Sequence, residues 1–221
     1  MPLDVATIVA PFPLPRSARL AVFASGRGSN LASLLAAFPP ATSAGTSSDV
    51  PARVALVVSN EPAAQALERA AAAGVATHVT PWNARTGDRT AFEADVQRAL
   101  DAAGIDVICL AGFMRILSPS FSERWFGRML NVHPSLLPRH PGLHAQRQAL
   151  DAGDAISGCT VHLVDAGVDQ GPILLQRSVP ILEGDTEERL ADRILEQEHV
   201  AYPDALRGWL SGALAPMEAS A

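Results

Sequence analysis

Short runs that are apolar at nearly every position alternate along this chain with segments of helical spacing. That alternation constrains the fold more than any other feature. The runs "ARLAVFAS" from Ala18, "RVALVVS" from Arg53 and "DVICLAG" from Asp106 lack the every-second-residue polarity of a sheet with one wet face, and "VATHV" from Val75 is a further, shorter strand. A strand apolar on both sides is a strand covered on both sides, which is the condition of parallel strands joined by helices. Between them lie "LASLLAAF", "EPAAQALERAAAAG" and "TGDRTAFEADVQRALDAAG", the last two closed by Gly74 and Gly104. Pro62 suits the first turn of the second helix. The pattern predicts an α/β fold: a doubly wound, mostly parallel, Rossmann-like sheet with helices on both faces.

The second half changes character. "RMLNVH" is a strand, "PGLHAQRQALDAG" holds a helix, and "GCTVHLV" and "PILLQRSVPI" make a pair of longer strands. The segment from Asp185 to Leu210 is a long terminal helix capped by Asp185 or Thr186, and Pro203 is expected to kink or divide it. These elements divide the chain into an extended leader (1–17), one domain (18–210) and a short tail (211–221). The polar, breaker-rich stretch from Thr42 to Pro51 is expected to be a surface loop.

Hydrophobic residues make up 48% of the 221, enough for a real core, and the net charge of −6 with no basic stripe argues against nucleic acid as a partner. Cys109 and Cys159 stand fifty residues apart with no CxxC, so neither a zinc site nor a disulfide framework is expected. No run approaches the ~18 apolar residues that span a bilayer. The proline-rich start lacks the basic region of a signal peptide. The expected location is the cytoplasm.

Three motifs carry chemistry. "SGRGSN", Ser25 to Asn30, follows a strand and opens a helix, so its backbone N–H groups can hold an anion. No lysine follows in the Walker pattern, and Leu31 occupies the place of the third glycine of a dinucleotide fingerprint, so a phosphate monoester fits better than a pyrophosphate. A tight turn with no ligand is the plain alternative. In "NVHPSLLPRHPG", Asn131 and His133 are two apart on a strand and share a face, where amide and imidazole can both donate to an oxygen gaining charge. Pro134 and Pro138 stiffen the exit. The alternative is a satisfied strand-end histidine. In "VDAGVDQGP", Asp165 and Asp169 lie between two strands, where a carboxylate can support His133 and move a proton, or be a solvated turn acid. His140 and His144 are separated by Pro141 and Gly142, there is no H-E-x-x-H, and G-x-S-x-G is absent, so metal hydrolase and serine hydrolase chemistry are both disfavoured.

Taken together, "FASGRGSNL", "VVSNEPAA", "LAGFMRILSPSF", "NVHPSLLPRHPGLHA", "GCTVHLVDAGVDQGPILLQ" and "EHVAYPDAL" resemble the 10-formyltetrahydrofolate-using formyltransferases, over residues 18 to 210 in order. The "GSN" loop and "PGLHA" are particular to the phosphoribosylglycinamide branch of that family. The resemblance implies the formyltransferase version of the Rossmann-like fold and formyl transfer from 10-formyltetrahydrofolate to the amine of 5-phosphoribosylglycinamide, in purine (IMP) synthesis. Another formyl-folate transferase or hydrolase is the alternative. The resemblance further implies catalysis by Asn131, His133 and Asp169, phosphate binding by Gly28, Ser29 and Asn30, and ribose contact by Glu198. For the folate it implies Arg89, Met114, Arg115, Ile116, Leu117 and Asn131, together with Val164, Asp165, Ala166, Gly167 and Val168. His162 is implied near the site. The partners are then small molecules, with no metal, no membrane and a homodimer as one option.

Overall fold

The computed structural model describes residues 17–40, 52–82 and 87–217. Nearly all of the leader, the loop from Thr42 to Pro51 and the last four residues lie outside that range. In chain order the elements are β1 (Ala18–Phe23), α1 (Ser29–Ala37), β2 (Ala52–Ser59), α2 (Gln65–Ala72), β3 (Ala76–Val79), α3 (Arg89–Ala102), β4 (Val107–Leu110), α4 (Pro119–Arg124), β5 (Met129–His133), α5 (Ala145–Asp151), β6 (Ile156–Leu163), β7 (Ile173–Pro180) and α6 (Glu187–Ser211). The strands form one sheet in the order β3-β2-β1-β4-β5-β6-β7. The five from β3 to β5 are parallel, and β6 and β7 add antiparallel to that core.

Alternate residues of β1 go to opposite faces, as strand geometry requires. Leu20 and Val22 join a core with Leu31, Leu34, Ala66, Tyr202 and Trp209, beneath α1, α2 and α6. Ala21 and Phe23 join a second core with Phe92, Val96, Leu100, Phe121 and Trp125, beneath α3 and α4. This two-sided burial is why β1, β2 and β4 read as continuous apolar runs, whereas the edge strand β3 is largely exposed. The α6 helix is fixed by polar anchors as well: the Tyr202 hydroxyl lies 3.0 and 2.9 Å from the carbonyl oxygens of Leu110 and Leu130, and the Trp209 indole donates to Gly127 O at 3.0 Å.

Local details depart from the sequence reading in three places. Helix α2 starts at Gln65, so Pro62 lies in the turn before it rather than in its first turn. Helix α6 runs unbroken through Pro203, with Thr186 as its cap, because its buried face holds the chain in line past the missing N–H. The short α4 was not foreseen; the Ser118 side chain caps it at Phe121 N and Pro119 takes the first turn. Past α6, Met217 exchanges two 2.8 Å backbone hydrogen bonds with Ile173.

The order places β2 and β4 on either side of β1. Loops leaving β1 and β4 at their C-terminal ends therefore flank the crevice where open α/β sheets bind ligands.

Candidate active site

Register brings the first polar cluster together. Asn131 pairs with His162 and His133 with Thr160 across the β5–β6 ladder, so all four side chains share one face of the sheet. Their neighbours Leu130, Val132, Val161 and Leu163 are buried on the other face. Between β6 and β7 the chain folds back and carries Asp169 over β5. Its Oδ2 lies 3.3 Å from His133 Nδ1 and accepts the Gly142 N–H at 2.8 Å.

Carbonyl oxygens only accept hydrogen bonds, and this settles which ring nitrogens carry protons. His133 Nε2 lies 2.9 Å from His140 O, so Nε2 is a donor and Nδ1 is the nitrogen facing Asp169. His162 Nδ1 lies 2.9 Å from Leu163 O, so its Nε2 is an acceptor and takes an N–H from Asn131 Nδ2 at 3.2 Å. That bond orients the Asn131 carboxamide and leaves its second N–H for a ligand. Burial pushes the His133 pKa below its ordinary value, against the opposing pull of His140 O and Asp169. Burial pushes Asp169 upward, but the neighbouring His162 and His133 rings and the Gly142 amide together hold it below the usual carboxylate range. At neutral pH the pair is a carboxylate beside an imidazole ready to take or give one proton.

The loop after β1 is built differently. Gly28 is the N-cap of α1 in the left-handed conformation (φ 71°), and no side chain caps the helix among the described residues. A Cβ at Gly28 would lie 2.9 Å from both Cα and Cβ of Ala66, so α2 packs directly on the loop. Ala66 N donates to Gly26 O at 3.1 Å and Arg69 Nε to Arg27 O at 2.8 Å. The amides of Ser29 and Asn30 stand in the first turn, where N–H groups lack helical partners. The Asn30 carboxamide faces inward and donates to Glu198 Oε2 at 2.7 Å, with both residues 7% exposed. Asn30 therefore offers the loop its backbone, and Glu198 stands directly behind it. Burial raises the Glu198 pKa, against the lowering effect of the Asn30 bond.

The remaining predicted residues flank the cluster. Met114 and Ile116, after β4, are 67% and 68% exposed, while Arg115 and Leu117 are half-buried. Arg115 Nε is buried with no hydrogen-bond partner among the described residues. Between β6 and β7, Asp165 accepts the Gly167 N–H at 2.9 Å, Val164 packs on the second core, and Ala166 and Val168 are exposed. Arg89 opens α3, exposed, and makes no hydrogen bond or ion pair with any of these residues. No group of three or more metal-binding side chains occurs among the described residues.

Residues 18–206 match the model of the formyl transferase family. The chain belongs to that family. Over 195 residues, 88% of each protein, it is 43% identical to the phosphoribosylglycinamide formyltransferase of Escherichia coli strain K12. Over 197 residues it is 47% identical to the trifunctional purine biosynthetic protein adenosine-3 of Drosophila melanogaster; this covers 89% of the chain but 14% of that longer protein. The crystal structure of glycinamide ribonucleotide transformylase 1 from Symbiobacterium toebii superimposes with a TM-score of 0.82 at 42% identity, covering 93% of this chain and 96% of that one.

Within this formyl transferase fold, several residues that sequence reasoning passed over hold the site. The Ser25 hydroxyl donates to Asn60 Oδ1 at 2.6 Å and accepts from Met114 N at 3.0 Å, tying the loop after β1 to the loop after β4. Glu93 fixes the far end of that second loop through Ser118, with Oε1 2.6 Å from the Ser118 amide. His140 and Gly142 act through their backbone. Ser25 and Asn60 stood inside quoted motifs, but nothing in their spacing marked the contact. A backbone carbonyl leaves no mark in a sequence at all.

Proposed function

We propose that this chain transfers the formyl group of 10-formyltetrahydrofolate to the amine of 5-phosphoribosylglycinamide, a step of purine synthesis leading to IMP, and that it does so in the cytoplasm. The observation that carries the mechanism is the meeting of Asn131, His133 and Asp169 on one face of β5, with a glycine-led helix N-terminus on the same sheet.

The residues fit such a co-substrate. Met114, Ile116 and Val168 offer exposed apolar surface for a flat heterocycle, and the buried Arg115 Nε wants an acceptor. The folate supplies a formyl carbon activated by its nitrogen. Around that carbon, Asn131 Nδ2 donates to the oxygen that gains charge as the amine attacks, joined by His133 once its Nδ1 has taken up a proton; one such donor is worth about 3 kcal/mol of barrier. Asp169 accepts the proton that the attacking nitrogen sheds and passes it, through His133 or a water, to the departing nitrogen. Acid–base help of this kind contributes roughly 10² to 10⁴ in rate. Gly28, Ser29 and Asn30 hold the phosphate through backbone N–H groups, and Glu198 is the ribose acceptor beside them. Holding both substrates turns a bimolecular encounter into a positioned one.

The test is release of tetrahydrofolate from the formyl donor, followed with and without the phosphoribosylated amine. Turnover that depends on the amine is expected. Equal turnover without it would make the chain a hydrolase and end this reading.

A further inference from the structure

The loop from Arg139 to Gly142 touches both members of the His133–Asp169 pair, His133 through the His140 carbonyl and Asp169 through the Gly142 amide. The backbone there is strained. His140 has φ 54°, in the left-handed region that residues with a Cβ rarely occupy. Something must hold it. His140 Nε2 lies 2.7 Å from Asp154 Oδ2, and the Arg139 guanidinium bonds the other oxygen, Asp154 Oδ1. The Asp154 side chain is 6% exposed, so its two oxygens are spent on this loop and not on water. Asp154 is itself fixed where the chain leaves α5, its amide donating to Ala149 O at 3.1 Å. The hydrogen bond from His140, followed by the charges of Arg139 and His140, outweighs burial and holds the Asp154 carboxyl below its ordinary pKa.

We propose that Asp154 is a positioning residue: by gripping Arg139 and His140 it keeps the His140 carbonyl on His133 Nε2. This inference rests on the roles given to His133 and Asp169 above. Without that carbonyl the imidazole can flip its proton to Nδ1, where Asp169 competes for it, and the ring no longer presents one defined nitrogen to the reaction. Asp154 reaches no reacting atom; its effect travels through one side chain and one backbone oxygen.

Three variants and a spectrum test this. Asp154→Ala removes the grip, and His140→Ala removes one arm while leaving Asp154 paired with Arg139, so no buried charge is stranded. Both are expected to lower kcat by roughly 10- to 100-fold, the scale of a small misplacement of a reacting group, and to leave KM for both substrates within about twofold. His140→Gln, which restores an N–H donor toward Asp154, is expected to recover most of the loss seen in His140→Ala. In ¹⁵N-histidine spectra of the whole chain, the His133 resonances, assigned by their loss in His133→Asn, should move from a single Nε2–H tautomer to a mixture in both alanine variants. An unchanged His133 tautomer in His140→Ala overturns the proposal, whether or not kcat falls and whether or not Asp154→Ala folds. The spectrum reads the tautomer without turnover, so it stands apart from failure of the formyl-transfer reading itself.

Discussion

The loop from Ser25 to Asn30 offers a ligand its backbone, whereas the polar face of β5 offers side chains. In the loop, the groups open to an anion are N–H bonds aimed by the start of α1, and the feature that cannot change is the absence of a Cβ at Gly28. Six consecutive residues suffice. At β5, the clustered polar side chains are those of residues 131 and 133, with 162 from β6 and 169 from the segment before β7, and the backbone of 140 and 142 completes the cluster. The first site should therefore tolerate changes of side chain but not of backbone conformation, and the second the reverse.

The comparison breaks most easily at the carboxylate. Asp169→Asn is expected to cost roughly 10² to 10⁴ in kcat with a urea midpoint close to that of the parent, because its amide oxygen can still accept from Gly142. If turnover survives, side-chain chemistry is not what this face supplies. Asn131→Ala should cost about 10²- to 10³-fold in kcat, the loss of one oxyanion donor, with His162 left in place. A rise in KM alone would instead make Asn131 a binding group.

Gly28→Ala sharpens the other half. The added methyl group meets Ala66 and sits at a positive φ, so about 1–2 kcal/mol of stability should go. KM for the phosphorylated substrate should rise several-fold while kcat at saturation changes little. Equal loss in kcat would mean that the loop does more than anchor. Glu198→Gln gives the smallest effect, readable as pH dependence. Burial raises the Glu198 pKa, so the folded state keeps a proton that the unfolded chain has already released. Its stability contribution is whole below about pH 4, the unfolded pKa, and is lost as pH climbs through the folded pKa. The glutamine variant lacks this slope, so its urea midpoint should gain on the parent from pH 5 to pH 8. A constant difference would refute the assignment.

The same contrast explains what could be read in advance. The parallel sheet was legible because strands buried on both faces leave unbroken apolar runs, and the glycine loop because its geometry is encoded in adjacent residues. Asn131 and His133 were legible from the two-residue period of a strand. Asp169 was not separable from Asp165 by spacing, since its approach to His133 depends on how the chain between β6 and β7 folds back. The grip of Asp154 on His140 was beyond reach, because it acts through a backbone oxygen and a left-handed residue that is not glycine. Helix α4 escaped because six residues containing a proline and two serines give no periodicity, and Pro203 misled because packing of Tyr202, Leu206 and Trp209 outweighs one missing N–H.

The bond between Asn30 and Glu198 joins residues 168 positions apart. A ribosome that has made the glycine loop must add 168 further residues before the loop's inward-facing amide meets its carboxylate. Until α6 emerges and docks through Tyr202, a nascent chain carries a half-built anion cradle whose rear wall is missing. The inner side of the loop is thus completed only when the last helix has been made and docked.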